Sequence, residues 1–165
     1  EMIIKGYQKT YGLPIITIRS NNNIGPNQYP EKIVARFATH LLQDKKVPLH
    51  GTGKNIRTFI YVEDFAKALE LISRKGRTGE IYNIGTPYEI SNLELTRRIL
   101  KILGKDESYI EFVPDRPFND KRYHVDYGKL SALRWTPKVN FEEALERTLV
   151  WYKENREWWE KVYKK

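Results

Sequence analysis

The sequence contains no cysteine. That excludes disulfides and thiolate metal sites and suits a reducing compartment. Histidine is scarce: His40, His50 and His124 are scattered and make no metal-ligand spacing, so no metal is expected. No apolar run approaches the roughly 18 residues that a bilayer-spanning helix needs. No signal-peptide pattern opens the residues, so a cytoplasmic location without a membrane partner is expected. No Ser-His-Asp or Cys-His arrangement is evident, and no two carboxylates are marked as an acid and base, so no catalytic residue is assigned. A Gly-x-Gly-x-x-Gly fingerprint after a strand is missing as well. Gly51-Thr52-Gly53 lacks the third glycine and opens no helix, so it reads as a turn.

What is present is ordinary for one globular domain. The chain has 165 residues, 40% of them hydrophobic and 30% charged, which is enough to bury a core. The net charge is +8. Such basicity fits nucleic acid, an anionic membrane or a small phosphorylated ligand. Most of it suits solvated lysines near helix ends, at Lys45, Lys46, Lys101, Lys105, Lys164 and Lys165.

Along the chain, Met2 to Tyr7 read as the end of a helix that Gly12 stops. Residues 14–19 form a β-branched run consistent with a buried strand. A polar loop covers 20–30, and a helix follows over about 31–44 with Ile33, Val34, Phe37, Ala38, Leu41 and Leu42 at helical spacing. Residues 47–50 are extended, 58–62 are a strand, and a helix runs over about 63–74. Residues 81–84 are another strand. Ser91 and Glu94 make a capping box for a helix that runs to Leu103 and ends at Gly104. Residues 109–113 form a strand, 115–123 a charged loop, and Asn140 caps a final helix. Helices alternate with short strands, which argues α/β or α+β. There is no internal repeat.

Three sets of side chains are candidates for chemistry. Asn21, Asn22 and Asn23 directly follow a strand. Amides donate and accept at once, which suits sugar hydroxyls, ribose or a carboxamide, and ligands of open α/β sheets sit beyond strand ends; an Asx turn is the simpler account. Lys32, Arg57, Arg116 and Arg122 lie at or near loops. Arginine binds phosphate through paired, charge-assisted bonds, although Glu63, Asp115 and Asp120 are available as ion-pair partners. The aromatics Trp151, Tyr152, Trp158, Trp159 and Tyr163 read as the packing face of the last helix rather than a base-stacking platform.

These segments together resemble the dTDP-glucose 4,6-dehydratases, members of the extended short-chain dehydrogenase/reductases. Residues 21–32, Asn-Asn-Asn-Ile-Gly-Pro-Asn-Gln-Tyr-Pro-Glu-Lys, are similar to their "SNNYGPxxxPEK". Residues 57–64 are similar to "RDWLYVED", 79–85 to "GEIYNIG" and 115–123 to "DRPGHDRRY". The resemblance covers essentially the whole chain. The "YVxD" and "YNIG" pieces recur across the broader superfamily, whereas the "PEK" and "DRPxxDxRY" pieces are more specific.

The resemblance implies an α/β fold: the C-terminal portion of an NAD-binding Rossmann-type enzyme, with the tail of the Rossmann domain over 1–30 and mainly the sugar-nucleotide-binding domain over 31–165. It implies a reaction in which the sugar C4 is oxidised with bound NAD, water is eliminated across C5 and C6, and hydride returns to C6, in deoxysugar (rhamnose-type) biosynthesis. The glycine fingerprint, the Tyr-x-x-x-Lys pair and the acidic dehydration residues of such enzymes precede the segment matched here, so this chain alone is expected to be inactive. By motif position, Asn22 resembles the substrate-contacting asparagine and Asn23 its cofactor-side neighbour. Lys32 and Ile33 flank the nucleotide and diphosphate. Pro48, Leu49 and His50 lie beside the base, and Asn92 is base-proximal. Arg57 and Arg116 resemble the diphosphate-binding arginines, with Asp115 and Asn119 in the same substrate segment. The family partner is a nucleotide diphosphate sugar, not nucleic acid, and the family assembly is a homodimer.

His50 stands where the bacterial enzymes usually have Tyr, Thr58 replaces Asp, and Phe118-Asn119 replace Gly-His. These departures look more like the eukaryotic and viral branch, which includes UDP-glucose 4,6-dehydratases. Thymine and uracil differ by one methyl, worth only about 1–3 kcal/mol in an apolar pocket. An epimerase or decarboxylase fragment and a non-catalytic nucleotide-sugar-binding module are the competing readings, with a nucleic-acid binder behind them.

Overall fold

The computed structural model describes residues 1–163; Lys164 and Lys165 lie outside the described residues, as does the side chain of Tyr163. The elements follow in the order α1 (Met2–Tyr11), β1 (Thr17–Ser20), β2 (Asn22–Ile24), α2 (Ile33–Leu41), β3 (Val47–His50), β4 (Ile56–Tyr61), α3 (Val62–Lys75), β5 (Ile81–Ile84), β6 (Glu89–Ser91), α4 (Asn92–Ile102), β7 (Ile110–Val113), β8 (Arg122–Tyr123), α5 (Gly128–Ser131), α6 (Phe141–Glu154) and α7 (Arg156–Tyr163). A 3-10 turn at Glu107–Tyr109 leads into β7.

Three small sheets carry the topology. β1 pairs with β5 in parallel, and β3 pairs with β7 in parallel. β4 is the hub of the third sheet: parallel to β2 and β8, antiparallel to β6. Residue alternation along a strand sends neighbours to opposite faces. Accordingly, Phe59 and Tyr61 join one core with α2, α4 and α6, whereas Ile60 joins a second core with Ala68, Ile72, Tyr82, Ile84, Leu130 and Trp135. Burial on both faces explains why the second half of β4, Phe59-Ile60-Tyr61, is a continuous apolar run rather than an alternating one.

Helix ends follow local chemistry. Gly12 closes α1 with φ 65°, its N–H returning to Gln8 O, the left-handed exit that glycine adopts at least cost. Asn140 Oδ1 accepts from Glu143 N at 3.0 Å and caps α6. Ser91 Oγ accepts from Glu94 N at 3.1 Å, but the reciprocal arm of the expected box is absent. Glu94 instead accepts from Arg98 Nε one turn on, at 3.0 Å.

Several boundaries differ from the sequence expectation. α2 begins at Ile33, because residues 25–32 form turns. The polar stretch after β1 contains a strand, β2, whose amides Asn22 and Asn23 sit opposite Phe59 and Ile60 of β4. The final helix is two helices broken at Asn155, which adopts φ −113°, ψ 44° and ends α6. The break lets Trp159 fold back fully buried, its Nε1 donating to Tyr152 O at 2.8 Å. Trp151 and Trp158 meet edge to face at 5.1 Å. Tyr152 and Trp159 join the core and Trp151 and Trp158 pack against it, so these four serve packing; the Tyr163 side chain of the same set lies outside the described residues.

Among the described residues no helix is long and apolar enough to cross a membrane. The same residues contain no group of three or more His, Asp or Glu placed to hold a metal ion.

Candidate functional site

A cleft of about 510 Å³ opens where β2, the entry of α2, the carboxyl end of β3, the first turn of α4 and the loop between β7 and β8 meet. All but one of the residues assigned from sequence converge on it, from positions between 22 and 119. Asn22 and Asn23 come from β2, Lys32 and Ile33 from the start of α2, and Pro48, Leu49 and His50 from β3. Arg57 comes from β4, Asn92 from α4, and Arg116 and Asn119 from the β7–β8 loop. Asp115 does not line the cleft. It stands behind Asn119, accepting from Asn119 Nδ2 at 2.8 Å and from the Arg116 N–H at 2.8 Å.

The cationic wall is well defined. Arg57 Nη2 and Arg116 Nη2 both donate to Asn119 Oδ1, at 2.9 and 2.8 Å. Arg57 Nη1 donates to the backbone carbonyls of Ile56 and Asp120, at 2.8 and 2.7 Å. Neither arginine takes a carboxylate partner among the described residues. Partial burial pushes the Arg57 guanidinium below its ordinary pKa, Asp120 opposes this, and Arg116 adds to it. Arginine still carries its full charge at any physiological pH, so the fall records an unfavourable position for a cation that an anion would relieve.

Arg122, the fourth cation of the set, behaves differently. It makes a two-pronged pair with Glu89 at 2.6 and 2.9 Å, outside the cleft, and that bond lowers the Glu89 carboxyl. Lys32 pairs with Glu31 at 3.0 Å, both side chains largely exposed. A pair of that kind is worth about 0–1 kcal/mol and yields readily to a ligand.

Beside the base of the β7–β8 loop, His50 Nδ1 lies 3.1 Å from Pro114 O. A carbonyl cannot donate, so Nδ1 carries the proton and, in the neutral ring, Nε2 is left as an acceptor. The β7–β8 loop is held at the start of β4 by one backbone bond, Ile56 N to Lys121 O at 2.8 Å, and by the Asn55 side chain, whose Nδ2 donates to Asp120 O at 3.1 Å.

Asn21, the first of the asparagine run, also lines the cleft, as do Gln28, Arg36 and Phe59, which sequence reasoning missed. Asn21 is 2% exposed. Its Oδ1 accepts from Thr86 N at 3.3 Å, and a side chain at Gly85 would come within 2.3 Å of that oxygen. This fixes the amide and leaves Nδ2 without a partner; Asn23 Oδ1 and Gln28 Oε1 are buried and unpartnered too. Unpaired buried polar atoms each cost about 1–3 kcal/mol, and grouped in one cleft they mark a place for a polar ligand. Arg36 was legible: it lies four residues after Lys32, on the same face of α2.

A family model described as GDP-mannose 4,6 dehydratase matches residues 1–148. The chain belongs to that family. A trifunctional UDP-glucose 4,6-dehydratase/UDP-4-keto-6-deoxy-D-glucose 3,5-epimerase/UDP-4-keto-L-rhamnose-reductase of Arabidopsis thaliana is 46% identical over 96% of this chain and 24% of its own. A dTDP-glucose 4,6-dehydratase of Actinoplanes is 41% identical over 96% of this chain and 50% of its own. The crystal structure of a Streptomyces venezuelae dTDP-glucose 4,6-dehydratase with NAD bound superposes with a TM-score of 0.94, at 42% identity over 98% of this chain and 50% of that one. A UDP-glucose 4-epimerase of Thermotoga maritima, solved with UDP-glucose, gives 0.86 at 30% identity over 94% and 51%. The chain thus spans between a quarter and half the length of these members of the family and their structural neighbours, and its α/β architecture is that of their corresponding part.

Proposed function

We propose that this chain supplies the nucleotide-sugar-binding part of a 4,6-dehydratase that converts UDP-glucose or dTDP-glucose to the 4-keto-6-deoxy sugar. The observation that carries the reading is the pair Arg57 and Arg116, converging on one amide oxygen without a carboxylate partner. Two guanidinium forks suit a diphosphate bearing about two negative charges. The amide-rich floor, with Asn22 beside the buried Asn21, suits sugar hydroxyls. His50, Pro48, Leu49 and Asn92 stand beside the base. Lys32 and Ile33 flank the nucleotide.

In this reading residues 1–30 are the tail of a Rossmann domain and 31–165 mainly the sugar-nucleotide side, with α3 and β5 packing back on β1. NAD, when bound, supplies a reversible hydride acceptor: hydride leaves the sugar C4, water is lost across C5 and C6, and hydride returns to C6. Asn23 is the residue of this chain that would meet it, and the buried, unpartnered Asn23 Oδ1 fits a polar group there. The chain's own residues bind and orient the sugar nucleotide and carry no hydride chemistry. The complete enzyme is read as a cytoplasmic homodimer serving deoxysugar synthesis, with no nucleic-acid or membrane partner.

Calorimetric titration of the chain with UDP-glucose and dTDP-glucose tests the binding claim. Saturable binding of either supports it; binding of neither, together with tight and salt-sensitive binding of an oligonucleotide, would overturn it. Formation of 4-keto-6-deoxy sugar by this polypeptide alone would refute its assignment as a non-catalytic part. The architecture shared with the epimerase supports a second reading, a nucleotide-sugar epimerase fragment, but the higher identity to the dehydratases favours the first.

A further inference from the structure

The β7–β8 loop holds an arrangement whose logic lies in a charge that is missing. Two cations, Arg57 and Arg116, point at one oxygen, and that oxygen belongs to a neutral amide. A carboxylate would bind two guanidinium groups more strongly, and the loop has two aspartates to offer. Neither takes the position. Asp120 turns its backbone carbonyl to Arg57 at 2.7 Å. Asp115 stands on the far side of Asn119.

The hydrogen bonds fix the Asn119 amide in one orientation. Guanidinium groups only donate and an ionised carboxylate only accepts, so the Asn119 oxygen must face the arginines and its nitrogen must face Asp115. The Asp115 carboxyl lies below its usual range, chiefly through the Asn119 N–H and next through the Arg116 N–H, as expected if it works as a fixed acceptor. Among the described residues, Nε and Nη1 of Arg116 have no hydrogen-bond partner.

We propose that Asn119 is a positioning residue that gathers the Arg57 and Arg116 guanidinium groups on a neutral acceptor, oriented by Asp115, and so keeps both free of a direct carboxylate pair for a ligand bearing two adjacent phosphates. The proposal rests on the reading of the cleft as a nucleotide-sugar site and deepens it. Asn119 and Asp115 serve selectivity for a diphosphate over a monophosphate, and neither needs to touch the ligand. Like charges held close in a partly desolvated place repel. A second phosphate relieves that repulsion and a single phosphate relieves only part of it.

The test uses the full chain and the substitution Asn119→Asp, nearly identical in shape but charged. Affinity for UDP and for UMP, with dTDP and dTMP in parallel, is measured by titration calorimetry for the unmodified chain, Asn119→Asp and Asn119→Ala. We expect Asn119→Asp to weaken diphosphate binding about tenfold or more, from the loss of at least one charge-assisted contact, and to weaken monophosphate binding less, so that the diphosphate preference collapses. Asn119→Ala, which removes the acceptor but adds no charge, reduces the same preference by a smaller factor. A preference that is unchanged in both variants overturns the proposal, as does an equal loss for both ligand classes, which is what a merely structural role produces. If Asn119→Asp fails to fold, the preference measured in Asn119→Ala decides. Failure of the unmodified chain to bind any of the four nucleotides overturns the reading of the cleft and this inference with it.

Discussion

The phenolic hydroxyl of Tyr152 donates to the backbone carbonyl of Gln28, across 124 positions of sequence. The contact ties α6, at the end of the chain, to the turn that enters α2. Gln28 in turn donates from Nε2 to Asn23 O at 2.5 Å. The cleft floor therefore depends on the packing of a helix that contributes no residue to the cleft. Replacing Tyr152 with Phe keeps the ring and removes the donor. It should cost about 1 kcal/mol, seen as a fall of roughly 2–4 °C in melting temperature for a domain of this size. Nucleotide-sugar affinity should fall with it.

Arg57 and Arg122 lie in one short stretch of paired strands, yet they should respond oppositely to truncation. Arg57→Ala removes a guanidinium from the cleft and should weaken diphosphate binding by about 1.5–3 kcal/mol, read by calorimetry. Arg122→Ala breaks an exposed pair with Glu89 and should leave affinity within twofold. Equal losses in the two variants would contradict the placement of the anion site.

Asp64 is almost wholly buried at 1% exposure, and its Oδ2 accepts from the N–H groups of Lys138 and Val139 at 2.8 Å each. This carboxylate is a structural clasp, joining the start of α3 to the segment before α6. Asp64→Ala leaves two backbone donors without their acceptor, at about 1–3 kcal/mol each. Chemical denaturation should show a loss of about 2–6 kcal/mol for the two together, without any change in the ratio of diphosphate to monophosphate affinity.

Acid should loosen the β7–β8 loop in a defined direction. The Asp115 carboxyl is lowered, by the Asn119 N–H first and the Arg116 N–H second. A group lowered in the folded state stabilises it above the unfolded pKa, and that contribution disappears as pH falls through the folded value. The Asn119 side-chain amide resonances should stay constant from neutrality down to about pH 4, near the ordinary aspartate value, and move only below it. In Asp115→Asn they should not follow the acid transition.

Much of this site was legible before the fold was known, and the reason is local. Arg57, Arg116 and the asparagine run sit in short motifs whose spacing is set by turns, and such motifs survive intact in sequence. The positions of Pro48, Leu49, His50 and Asn92 came from resemblance, since nothing in a strand or a helix start marks a cleft wall. Asp115 was assigned to the site because it shares a motif with Arg116; that it stands behind Asn119 rather than lining the cleft depends on the path of the loop. The split of α6 from α7 escaped the pattern because Asn155 is a mild breaker, and burial of Trp159 decides the bend. Asn21 was seen as part of a run, but its fixed amide depends on Gly85 and Thr86, residues 64 and 65 positions away, and no spacing rule reaches that far.

β4 has a consequence for how the molecule comes apart. It is one strand with Phe59 and Tyr61 in one core and Ile60 in the other. Neither core can lose its order without stripping the other of a wall. The two should melt as one cooperative unit, with amides on both sides of β4 opening to solvent exchange at the same free energy. Arg57 sits on this strand, so the anion-binding wall would be among the last features to disappear as the chain is denatured.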